Sequence, residues 1–225
     1  MKKVTVLALA ALVGIASCTS SNSDSAQTSD VEEVAVAEGH AYGVDLETSQ
    51  VDWKAFHKGG FAPRWGTLKL SAGELTVADD NITSGTFTID FNTLVVDPAS
   101  VTEQDKKASD LQDDLKSANF FEVAQFPTGT FEVTGITDFD PAQDKSVVEG
   151  ANKVVSGNLT LKGNSINVTF PAKISVGDGT ARVEARFTVD RTAWGLKFGA
   201  TDADPAEWGI SRDFEVGVDL TAVAK

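Results

Sequence analysis

The stretch Arg182-Val183-Glu184-Ala185-Arg186-Phe187-Thr188-Val189-Asp190 decides the fold class. Val183, Ala185, Phe187 and Val189 alternate with charged and polar residues. Successive side chains of an extended strand point to opposite faces, so this segment has one face for a core and one for water. The same period of two recurs along the chain. Val51, Trp53 and Ala55 carry it, as do Leu68 and Leu70, Leu75 and Val77, and Phe87, Ile89 and Phe91. It continues through Phe131 and Val133, Leu159 and Leu161, Ile166, Val168 and Phe170, and finally Phe214, Val216, Val218 and Leu220. Turn chemistry separates the runs at Ala78-Asp79-Asp80-Asn81, Lys162-Gly163-Asn164-Ser165 and Val176-Gly177-Asp178-Gly179. Many antiparallel strands with one apolar face leave two architectures, a sandwich or a closed barrel.

One segment breaks the period. Ser100-Val101-Thr102-Glu103 has the form of a capping box, with Ser100 as N-cap and Glu103 at the third helical position. Ala108, Leu111, Leu115 and Ala118 then recur at helical spacing, with Asp105, Lys106, Asp110, Asp113, Asp114 and Lys116 on the other face. This predicts one amphipathic helix near residues 101–118, docked by Phe120, Phe121 and Phe126.

The chain has 225 residues, with 19 Lys and Arg against 33 Asp and Glu. So acidic a balance argues against nucleic acid as a partner, and against electrostatic adhesion to anionic lipid. The sole cysteine, Cys18, follows Lys2, Lys3 and the apolar run Val4–Ile15, and closes the sequence Ile15-Ala16-Ser17-Cys18. The apolar run is shorter than the roughly 20 residues needed to span a bilayer. It reads as a signal peptide over residues 1–17. Residues 18–40 are polar and low in complexity, and read as a disordered tether. A flexible chain of that length reaches on the order of 25 Å. Residues 41–225 then form one folded domain, large enough to stand on its core without disulfides.

Catalytic signals are sparse. His40 and His57 are the only histidines, and no Gly-x-Ser-x-Gly elbow, Walker loop or dinucleotide fingerprint is present. Gly209-Ile210-Ser211-Arg212 comes nearest to a nucleophile motif but lacks its closing glycine. The acidic loops Asp138–Asp144 and Asp202–Glu207 lack calcium-loop spacing and read as solvated. The sequence therefore predicts no enzyme, no cofactor and no metal. A small barrel either fills its interior with side chains or encloses one small ligand, and periodicity leaves both interiors open.

Ile15-Ala16-Ser17-Cys18 resembles the lipobox of bacterial lipoproteins. In that family the cysteine is acylated, which implies a membrane anchor in the cell envelope, facing the periplasm, with surface exposure left open. The folded region resembles the YceI family of periplasmic, lipocalin-like barrels. The resemblance runs through Tyr42-Gly43-Val44-Asp45 to Trp53 and His57, and through Ser84–Asp90. It continues in Leu115-Lys116-Ser117-Ala118-Asn119-Phe120-Phe121 to Phe126-Pro127, in Gly157-Asn158-Leu159-Thr160-Leu161-Lys162-Gly163, and in Asp190-Arg191-Thr192-Ala193-Trp194-Gly195. Asn164-Ser165 departs from the family's usual turn, and the insert around Asp138–Asn152 is longer than expected. The resemblance implies an all-β fold, an antiparallel barrel of about eight strands with one helix. It also implies a bound isoprenoid-type lipid, a polyprenyl or quinone-like chain, as the apolar partner. Trp53, Phe87, Ile89, Phe131, Val133, Phe187 and Phe214 are then the expected lining. Two other readings remain, a ligand-free structural or interaction module and a hydrolase using His57 or Ser211. The oligomeric state stays open, a dimer included.

Overall fold

The computed structural model describes residues 24–201 and 209–225. Among them are eleven strands, one α-helix and two 3-10 turns. In chain order the strands are β1 (Asp24–Ser25), β2 (Gln27–Ser29), β3 (His40–Val44), β4 (Gln50–His57), β5 (Arg64–Ala78), β6 (Asn81–Val96), β7 (Thr128–Asp138), β8 (Lys153–Leu161), β9 (Asn164–Gly177), β10 (Thr180–Asp190) and β11 (Ile210–Ala224). The helix α1 spans Ala108–Lys116. Strands β4 to β11 pair antiparallel in sequence, and β11 returns to β4, so the sheet closes into an eight-stranded barrel. This is the expected all-β class.

Three hairpins close on two-residue turns with positive φ at both central residues. These are Asp79-Asp80, Lys162-Gly163 and Asp178-Gly179. That geometry matches the twist of the flanking strands. Asn164, the departure noted in the sequence, leaves its turn intact and donates from its side-chain amide to the Trp194 carbonyl at 3.2 Å.

One stave of the barrel is broken in two. β4 covers β11 between Ile210 and Asp219, and β3 covers it from Ala222 to Ala224. Both also pair with β5. The residues between them form a turn in which the Asp45 carboxylate accepts the Glu47 and Thr48 N–H groups. Hydrogen bonds from the Thr48 side chain and these two amides hold the Asp45 carboxyl below its ordinary pKa. Ser49, fully buried, mends the ladder with its hydroxyl. It accepts from Thr221 N–H at 3.1 Å and donates to Thr221 O at 3.3 Å.

Two sequence expectations need correction. The helix starts at Ala108, not near residue 101, and Lys107 at its N-cap makes no side-chain capping bond. Ser100 instead closes a 3-10 turn, Pro98–Ser100, that Asp97 caps through its bond from Ala99 N–H. Glu103 cannot reach back to a cap because Arg64 and Lys106 take its carboxylate. The second correction concerns the tether. From Asp24 onward it lies on the barrel: β1 pairs with β10 and β2 with β9. Glu32 and Ala35 are held further along by Asn158 and by the Val133 carbonyl. These residues have little apolar surface to bury, and what fixes them is backbone pairing, which hydropathy does not register. The signal peptide and Cys18 lie outside the described residues.

Asp190 and Asp213 face one another across the β10–β11 ladder. Burial, and then the Asp190 charge, push the Asp213 carboxyl above its ordinary 3.8, with Arg212 opposing. A carboxyl raised in the folded state is disfavoured in its ionised form, so stability falls as the pH rises from the ordinary value to the raised one, and the full cost is present above it. Asp213→Asn is expected to raise the unfolding midpoint at pH 7 and to leave it unchanged at pH 3, as read by denaturant titration at both. Equal midpoints at pH 7 would contradict this. The gain should be small, since Asp213 is only partly shielded and keeps much of its surface in water.

Candidate functional site: an apolar barrel cavity

The inward faces of β4 to β11 do not fill the barrel. They enclose a cavity of about 180 Å³ that runs its length. Near the Asp79-Asp80 and Asp178-Gly179 turns it is walled by Ile82, Ile136, Ile174 and Leu220. At the other end Phe120, Leu196 and Ile210 close it, with Leu115 of α1 and Phe121 alongside. Among the lining residues only Asp52 and Arg191 carry charge. One water needs roughly 10–15 Å³ of such space, so the cavity has room for on the order of a dozen methylene-sized groups.

The structure places all seven expected lining residues on this wall: Trp53, Phe87, Ile89, Phe131, Val133, Phe187 and Phe214. Four phenylalanines form a continuous aromatic band across it. Phe87 and Phe131 have ring centroids 6.3 Å apart, Phe131 and Phe170 5.9 Å, and Phe170 and Phe187 4.1 Å in a near-parallel stack. Phe131 on β7 reaches Phe170 on β9 by lying across β8. It can do so because the β8 residue beneath it is Gly157, where a Cβ would stand 2.2 Å from the Phe131 ring. Gly66 makes similar room for the Trp53 indole, whose N–H has no partner among the described residues.

The Asp190–Leu196 segment seals one end. Asp190 caps a 3-10 turn (Arg191–Trp194) by accepting from Thr192 N–H, and Gly195 takes the left-handed conformation that ends it. Trp194 is fully buried and donates its indole N–H to Leu159 O at 2.8 Å. The Arg191 guanidinium donates to the carbonyls of Leu196, Phe198, Ile210 and Ser211. Burial lowers its pKa, with the Asp190 charge opposing, and an arginine still stays charged at physiological pH. Sequence reading did not single out Phe170, Leu115 or Arg191 as wall residues. Phe170 was readable from the alternation of β9. Arg191 was not, since a charged residue one position past a strand gives no sign that it turns inward.

Among the described residues no hydrogen bond joins His57 to Ser211, and the buried His57 Nδ1 has no partner. The His57 ring stacks on Phe61 at 5.3 Å. Ser211 accepts from Asp213 N–H with its hydroxyl and from Arg191 with its carbonyl. Among the described residues no group of three or more His, Cys, Asp or Glu side chains converges as metal ligands. Asp138 pairs with Lys153, and Asp140 accepts bonds from Ala142 N–H and Gln143 within its own loop. The Asp202–Glu207 loop lies outside the described residues.

The family model for the YceI-like domain matches residues 42–222, which takes in β4 to β10 and all but the last two residues of β11. The chain belongs to the YceI-like family. It is 31% identical over 140 residues to the protein YceI of Salmonella arizonae, and equally to that of Salmonella paratyphi B. That alignment covers 61% of this chain and 63% of the length of these relatives. Among solved structures, Burkholderia cenocepacia BcnA superposes with a TM-score of 0.55 at 19% identity, over 80% of this chain and 99% of that one. A polyisoprenoid binding domain from Saccharophagus degradans superposes with a TM-score of 0.53 at 16% identity, over 83% and 99% of the two chains. These likenesses show that the YceI-like barrel is shared.

Gly157→Val tests the aromatic band. The added side chain must displace Phe131, and overpacking of this kind costs about 1–3 kcal/mol. Chemical unfolding should show a loss in that range, and the mutant's near-ultraviolet circular dichroism should change. Wild-type stability in the mutant would contradict the packing described.

Proposed function

We propose that this protein is an envelope lipoprotein whose barrel holds the hydrocarbon chain of an isoprenoid-type lipid, carrying or sequestering it. The cavity carries this reading. It is long, is walled almost entirely by aliphatic and aromatic side chains, and offers few polar groups to fix a polar ligand. Such a wall suits a flexible hydrocarbon, which costs about 25 cal/mol for each Å² it exposes to water. The relative from Saccharophagus degradans, named for polyisoprenoid binding, supports the ligand class. An open interior weighs against a ligand-free module with a filled core. The absence of a hydrogen bond between His57 and Ser211 among the described residues weighs against a hydrolase built on that pair.

Cys18 completes the reading as the acylated anchor. Five residues, Thr19 to Ser23, separate it from Asp24, where the chain joins the barrel. Even fully extended they reach roughly 20 Å. The anchored barrel is therefore held close against the bilayer that supplies its ligand, rather than tumbling on a long tether.

Titration with retinol, a fluorescent isoprenoid, should saturate at one molecule per barrel, with energy transfer from the tryptophans. Ile89→Trp adds bulk to the wall and should weaken binding at least tenfold while leaving the far-ultraviolet circular dichroism unchanged. Unsaturable binding, or equal affinity in the mutant, would contradict the cavity as the site. Cys18→Ser should move the protein from the membrane to the soluble fraction and remove the acyl mass from its N-terminus. A variant that stays membrane-bound would overturn the anchor.

A further inference from the structure

The barrel wall is not closed by its own eight strands along the whole of its length. The β9–β10 ladder runs from Gly177↔Thr180 to Ala172↔Ala185 and stops there. The next residue of β9 is Pro171. Ala172 O accepts from Asn152 N–H on the β8 side, so strand alternation points Pro171 at β10, where it has no N–H to give. Past that residue the two strands part.

The slit between them is filled by the N-terminal segment. Asp24 and Ser25 lie parallel beside Phe187 and Thr188, and Ala26 N–H donates to Thr188 O at 2.9 Å. Gln27, Thr28 and Ser29 then lie antiparallel beside Thr169, Val168 and Asn167. The segment crosses from one lip of the slit to the other and continues over the outer face of the barrel. There the Asn158 side chain, only 4% exposed, accepts from Glu32 N–H at 3.1 Å and donates to Glu32 O at 2.8 Å. Asn158 also accepts from Asn167, whose amide bonds Thr134 as well.

This stave differs from the rest of the wall in what holds it. Its side chains are polar or small, and Ala26 is the one that packs on the core. Directly behind it stand Phe170 and Phe187, stacked at 4.1 Å and both lining the cavity. A segment that buries little apolar surface opens at lower cost than one built into the core. Its removal exposes the hydrocarbon interior from the side.

We propose that residues 24–29 are a removable stave, and that an apolar chain enters and leaves the barrel sideways through the slit they cover. This rests on the reading that the cavity takes such a chain. The test locks the stave. Gln27 and Thr169 are directly opposed across an antiparallel pair. Opposed residues of that kind sit about 4.5–5.5 Å apart at Cα, within reach of a disulfide. Gln27→Cys with Thr169→Cys is made in a full chain carrying Cys18→Ser, so that only the new pair can cross-link. Transfer of retinol from phosphatidylcholine vesicles is followed by stopped flow.

Oxidation should slow both uptake and release at least tenfold, leave equilibrium occupancy unchanged, and be reversed by reductant. Asn158→Ala, which loosens the stave without a cross-link, should speed exchange several-fold. Equal rates in the oxidised and reduced protein, with binding intact, would overturn the gate and place entry at an end of the barrel. Absence of retinol binding in both states would remove the cavity reading along with it.

Discussion

A sheet bent into a cylinder must give each backbone N–H and C=O on both lips of every strand a partner, because a closed barrel has no free edge to leave to water. This demand for closure organises the molecule. Most of the seams between the eight staves meet it by hairpins and adjacent pairing. The seam where β11 returns to β4 meets it with a strand in two pieces, joined where the Ser49 hydroxyl stands in for a backbone group opposite Thr221. The seam between β9 and β10 meets it with a segment from outside the cylinder, residues 24–29. These two seams are thus two solutions to one geometric problem, one permanent and one lightly held.

Closure also creates the cavity. Eight strands set a radius that side chains can fill or leave open, and here the filling is arranged as a lining. The phenylalanines of β6, β7, β9 and β10 follow one another along the wall, because Gly157 leaves room for the Phe131 ring across β8. A larger residue there would drive the ring inward. The end is shut by Trp194 and by a buried arginine whose partners are backbone carbonyls. The interior is lined almost wholly by hydrocarbon, with charge only at Asp52 and Arg191, and that favours a ligand recognised by shape and apolarity.

Much of this was legible in the sequence, for reasons specific to particular residues. Alternation in Phe87–Phe91 and Val183–Val189 fixed which side chains face inward, and all seven expected lining residues stand on the cavity wall. What escaped reading has two physical causes. Ser100 and Glu103 match a capping box, but their side chains answer to Asp97 and to Arg64, which lies 36 residues before Ser100 in the chain. Asp24 to Ser29 match a disordered tether by composition, but composition says nothing of an empty slot waiting in a distant sheet. Pro171 and the outward-facing Asn158 and Asn167 were the traces of that slot. A proline that ends a ladder, and polar residues buried on the outside of a barrel, imply something laid over them.

The central claim is that the barrel carries a hydrocarbon chain in its lumen. The most direct test is to isolate the protein from its own cells, extract it with organic solvent and weigh what comes out by mass spectrometry. The account predicts one isoprenoid-type chain for each barrel. Repeated recovery of a barrel with no hydrocarbon, from cells rich in such lipids, would contradict it.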